Sequence, residues 1–68
     1  MQGNIDNRPR LMSPKEASEA TTMSRVLLMM MAKEGQFPAP VKIGVKRIAY
    51  VRAEVDNWIN ERIANRSN

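Results

Sequence analysis

Lys42, Lys46 and Arg47 crowd around Gly44 within a six-residue span, and they are the side chains of this 68-residue chain best placed to do chemistry. Cations at the tip of a short hairpin neutralise phosphate, and a glycine among them lets a polyanion backbone approach closely. Further back, Ser24, Arg25 and Lys33 bracket an apolar run. The formal net charge is +4, from eleven Lys and Arg against seven Asp and Glu. Residues 1–23 balance to zero, residues 24–52 carry +5 and residues 53–68 carry −1, so the whole excess lies in the middle third. A recognition surface for a nucleic acid has this distribution, although lysines scattered on a solvated surface also make a small protein basic.

Other chemistry is poorly provided for. The chain has no cysteine and no histidine, which removes disulfides, zinc–thiolate sites and the usual general base. Glu54 and Asp56 read as partners of a helix dipole rather than as catalytic carboxylates. No enzymatic activity, cofactor or metal is expected. The longest apolar run, residues 26–32, is far shorter than the ~18 residues of a membrane span, and no secretory leader is read. The expected compartment is the cytoplasm.

The elements that must position the cations follow from local signals. Residues 1–9 read as a mobile arm, and Arg8 and Arg10, flanking Pro9, either belong to a disordered, non-contacting tail or add an arm contact. Leu11 and Met12 are expected in the core, Leu11 more so. Ser13-Pro14-Lys15-Glu16 is a helix start: a capping serine, a proline at the first position and a glutamate that completes a capping box. The helix is expected over residues 14–20, with Ala17 and Ala20 forming a small face that admits another helix. Thr21-Thr22-Met23-Ser24 is a turn. A second helix, capped by Ser24, runs to about Glu34, and Gly35 ends it. Two short helices joined in this way are a helix-turn-helix signature.

Phe37-Pro38-Ala39-Pro40 excludes helix and central strand, and Phe37 is a candidate core anchor. Strands are expected over residues 41–43 and 47–51 around Gly44-Val45-Lys46. Val41, Ile43, Ile48 and Tyr50 would form one face, and Lys42, Arg47 and Ala49 the other. A last helix over residues 53–64 places Val55, Trp58, Ile59, Arg62 and Ile63 on one stripe, with Trp58 and Ile59 as core residues. Arg52 either reaches a phosphate or is solvated. Residues 65–68 are expected to fray. The fold class is mainly α with a small β-hairpin, and residues 10–64 form the domain.

The stretch Lys33-Glu34-Gly35-x-Phe37-Pro38-x-Pro40-Val41-Lys42-Ile43-Gly44, then Arg47, an aromatic strand residue at Tyr50, and Glu54-Val55-x-x-Trp58-Ile59, resembles the AlpA-type phage regulatory proteins. It is also similar to the small excisionases related to them, a branch of the MerR-like winged-helix group. The likeness covers roughly residues 10–63. It implies a winged helix-turn-helix whose second helix enters the major groove of double-stranded DNA while the wing meets the backbone or minor groove nearby. It also implies work on a prophage or genomic island, as a transcriptional regulator or an excisionase, with integrase, RNA polymerase or a second copy as protein partners. On this reading Ser24, Arg25, Lys33, Lys42, Gly44, Lys46 and Arg47 contact DNA.

Three departures from the family pattern bear on recognition. Tyr50 stands where the family usually has tryptophan. Thr22 stands where it often has glycine. The second helix continues after Ser24-Arg25 with Val26, Leu27, Leu28, Met29 and Met30 in place of the usual polar series. At ~100° per residue, Leu28, Met31 and Ala32 face inward and Val26, Met30 and Lys33 face outward. Three readings of the apolar residues stay open. They leave base readout to shape and to the wing, touching at most thymine methyls or sugar edges. Alternatively Val26, Met29 and Met30 dock a protein, with sequence-specific DNA binding weak or lost. Otherwise the patch is core and the helical phase is shifted. The wing cations also have a plainer reading, as guards of a hairpin edge.

Overall fold

Strand β1 (Leu11–Met12) leads directly into α1 (Pro14–Thr21), which is followed by α2 (Arg25–Lys33), β2 (Val41–Lys42), β3 (Ile48–Val51) and α3 (Arg52–Ala64). The computed structural model describes residues 7–66. The helix–helix–hairpin–helix order matches the sequence expectation, and the helix bounds agree within about a residue. The arm expected over residues 1–9 falls largely outside the described residues, as do the last two positions of the chain.

Both expected caps form. The Ser13 hydroxyl accepts the Glu16 amide at 3.0 Å, with Pro14 opening α1. The Ser24 hydroxyl accepts the Leu27 amide at 3.1 Å. The turn between the helices is tied by side chains. Ser18 donates to the Met23 carbonyl at 2.7 Å, and Thr21 donates to the Ala17 carbonyl at 2.8 Å. Thr22, at the point where the turn needs left-handed backbone, sits at φ +61°. Gly35 ends α2 at φ +75°. Its amide bonds the Ala32 carbonyl and that of Gln36 bonds the Met31 carbonyl, a Schellman closure that sends the chain sharply out of the helix.

The sheet was only half anticipated. Its order is β1-β3-β2, all antiparallel, with Leu11 opposite Val51, Met12 opposite Tyr50, Val41 opposite Ala49 and Lys42 opposite Ile48. This register corrects several expectations. Met12 shares the core face with Tyr50 and is 3% exposed, whereas Leu11 faces outward at 36%. Lys42, opposite Ile48, is not grouped with Ala49, so neither hairpin face is wholly apolar or wholly basic. Ala49, small and flanked on both sides in the central strand, is buried, while Val41 and Ile43 are exposed. Ala20 is exposed too, so Ala17 alone forms the close-packed spot on α1.

Met12, Ala17, Leu28, Phe37, Tyr50 and Val55 form the core, edged by Met23, Met31, Trp58 and Ile59. Phe37 is its hub, as expected. Its ring meets Tyr50 edge-on at 5.5 Å and Trp58 edge-on at 5.0 Å between centroids. Such pairs contribute about 0.5–1.5 kcal/mol each beyond the area they bury. Trp58 is half-buried rather than enclosed. Its indole donates to the Gln36 carbonyl at 2.9 Å, and Arg62 lies over its ring at 4.9 Å. Ile63, on the last turn of α3, extends beyond the core and is exposed.

Arg52 fits neither reading offered by the sequence. It is 5% exposed; its Nε donates to the Pro9 carbonyl at 2.6 Å and its guanidinium pairs with Glu16 at 2.8 Å. Its backbone amide also bonds the Arg10 carbonyl at 2.8 Å. Arg8, expected in a non-contacting tail or as an arm contact, pairs with Asp56 at 3.5 Å. Residues 8–10 are therefore fastened to the start of α3, because β1 brings them alongside the end of β3.

Candidate nucleic-acid interface

Three local structures converge on one groove. The Ser24 cap starts α2 with Arg25 in its first position. The Ser13 cap starts α1 with Lys15 in its first turn. Between β2 and β3 the wing turns through residues 44–46, closed where the amides of Ile43 and Gly44 both donate to the Arg47 carbonyl, at 2.9 and 3.2 Å. The groove between wing and helices is lined by Ser13, Lys15, Arg25, Ile43, Lys46 and Arg47, among others.

Four cations thus share one concavity. Among the described residues the ion pairs are Arg8–Asp56 and Arg52–Glu16, and none of the groove cations takes part. Unpaired, exposed cations that share one groove repel, and an approaching polyanion relieves that cost; four such cations can neutralise about four phosphates of a backbone. Glu16, next to Lys15 in the chain, is engaged by Arg52 and not by a groove cation. The Arg52 guanidinium, hydrogen-bonded to Glu16, holds that carboxyl below its ordinary 4.5, with the Ser13 backbone assisting.

Of the residues singled out from the sequence, Arg25, Lys46 and Arg47 meet in this groove. Ser24 is adjacent as the α2 cap, and Gly44 begins the wing tip. A methyl group at Gly44 would stand 3.5 Å from the Arg47 Cβ, an ordinary contact, and its φ lies outside the left-handed region. The hairpin itself therefore does not demand a glycine there. Lys42, exposed on β2, and Lys33, at the far end of α2, lie outside the groove. Lys15 was missed. Its signal was present: a lysine in the first turn of a helix opposes the helix dipole and is out of place unless something negative comes near.

The helical phase of α2 is as expected. Leu28 is fully buried and Met31 and Ala32 are half-buried, whereas Val26 is 71% and Met30 54% exposed. The apolar patch is therefore not core. Its membership differs at two positions: Met29 is half-buried, and Leu27, not anticipated, is 41% exposed.

A capped helix pair, a wing and a basic groove between them define a winged helix-turn-helix protein. The chain belongs to the family described as prophage CP4-57 regulatory protein (AlpA), whose model matches residues 10–63. It is also 32% identical over 57 residues to "Uncharacterized protein ORF88" of Enterobacteria phage P4. That match covers 84% of this chain and 65% of the relative, so the chain spans just under two thirds of that protein's length. No solved structure matches the chain significantly.

Proposed function

We propose that this protein binds double-stranded DNA at specific sites and regulates a prophage or genomic island. Helix α2 lies in the major groove, and Ser24, Arg25, Lys33, Lys42, Gly44, Lys46 and Arg47 meet the DNA, with Lys15 joining them on the backbone. The observation that carries this reading is the convergence of Lys15, Arg25, Lys46 and Arg47 on one groove without an ion pair among the described residues. Its cellular output is transcription or excision of the element, the latter beside an attachment site with integrase.

Salt dependence is the direct test. With about four phosphates neutralised, log affinity should fall against log salt with a slope near −3.6, roughly a 150-fold loss between 50 and 200 mM. Lys46→Ala with Arg47→Ala should weaken binding to every duplex and reduce that slope by about 2. Binding that is absent, or insensitive to salt, would overturn the reading. A footprint with a bending assay on attachment-site DNA and on promoter DNA separates excision from transcriptional control.

A further inference from the structure

Resting on the proposed DNA binding, we infer that α2 reads its site through the 5-methyl groups of thymine, using Val26, Met30 and the flanking Leu27. The outward face of this helix lies opposite the buried Leu28. Val26 and Met30 are about 40° apart on it and Leu27 about 60° further round. All three are exposed, at 71%, 54% and 41%. Across Arg25–Lys33 the helix carries no amide or hydroxyl side chain. It therefore has no bidentate partner for adenine, and its cations stand at the two ends.

Those ends identify the occupant. Arg25 and Lys33 are separated by about 12 Å of helical rise, comparable to the ~12 Å width of the major groove. Lys33 shares the outward face with Val26 and Met30, whereas Arg25 projects about 100° round the helix from Val26, toward the groove it shares with the wing. The apolar face thus has a cation on it and another beside it, as a channel with phosphates on both rims and base edges on its floor would accept. The continuous groove from Arg25 to Lys46 and Arg47 extends the same complementarity to the wing. On that floor the apolar group is the thymine methyl. A protein partner covering α2 would instead have to place anionic groups at both ends of an apolar strip only seven residues long, residues 26–32.

The test uses the full chain and a duplex selected from a random 30-base-pair pool, resynthesised with deoxyuridine in place of every thymidine. Base pairing is kept and only the methyls are removed. Affinity at fixed salt should fall about fourfold for each contacted methyl, about 15-fold for two, with the salt slope unchanged. The Val26→Ala/Leu27→Ala/Met30→Ala variant should lose most of the difference between the two duplexes, which separates a methyl contact from an effect of uracil on DNA shape. All three positions are exposed, and a circular-dichroism melt checks that the variant folds. Equal affinity for the two duplexes with salt-dependent binding intact would overturn this inference and leave DNA binding standing. No binding to any duplex would overturn the DNA reading itself. If Met30→Glu leaves DNA affinity unchanged but lowers the mass seen by light scattering, the face belongs to a protein and the inference fails.

Discussion

Thr22 occupies left-handed backbone, and it is the one non-glycine residue among those described to do so. A β-branched side chain there crowds its own backbone, at about 1–2 kcal/mol for an L-residue. Its hydroxyl compensates partly by donating to the Thr21 carbonyl. Thr22→Gly removes the crowding but gives up that bond and loosens the unfolded chain. We expect a net gain of about 0.5–1 kcal/mol and a Tm several degrees higher, measured by thermal melt. A lower Tm would mean that the hydroxyl outweighs the strain. The wing glycine has the opposite character: Gly44 occupies backbone open to any residue, so only what approaches the tip can require its small size.

At the scale of elements, α1 and α3 are joined by Glu16 and Arg52. The folded pKa of Glu16 lies below its unfolded value. Its stabilising contribution is therefore complete above the ordinary carboxylate pKa of 4.5 and is lost as pH falls through the lower, folded value. Glu16→Gln should lower Tm at neutral pH and lose less on acidification from pH 5 towards 3 than the native protein does. Parallel Tm curves would show that the pair adds nothing to acid sensitivity. The partner carries more, since it is buried and bonds the Pro9 carbonyl as well; Arg52→Ala removes charged hydrogen bonds of about 1.5–3 kcal/mol each.

The elements themselves were largely readable, because the signals that start and stop them are local. Ser13, Pro14, Ser24 and Gly35 each act on amides or carbonyls within a turn of themselves. Strand β1 was not readable. Two residues show no alternation to count, and their partners Val51 and Tyr50 lie beyond two helices and the wing in the sequence. The ranking of Leu11 above Met12 in the core and the misplacing of Arg52 descend from that one omission, since burial on β1 and the acceptor at Pro9 exist only once the strand is paired.

For the molecule as a whole, overall extents of 38 × 34 × 18 Å leave little interior, and seven apolar side chains are buried among the described residues. So small a domain depends on each of them. The candidate interface was readable where charge was concentrated, at Arg25, Lys46 and Arg47. It was not readable at Lys15, because the approach of α1 to the wing is a tertiary event. Nor did the sequence tell Arg52 from the groove cations, since a buried and a solvated arginine look alike until their acceptors converge.

The tie between Pro9 and Arg52 joins residues 43 positions apart, and it bears on the order of assembly. The α1–α2 hairpin and the wing are built from near neighbours, whereas β1 docks only after a long loop has closed, a step that costs entropy before it gains contacts. The early nucleus should therefore be the helix pair packed on Phe37, with β1 added on the native side of the barrier. Met12→Val should then raise the unfolding rate and leave the folding rate nearly unchanged in a denaturant chevron; a slowed folding limb would place β1 in the nucleus. On the ribosome, β1 has no partner until β3 and Arg52 have emerged, so the helix pair stands without its first strand while the residues between them are synthesised.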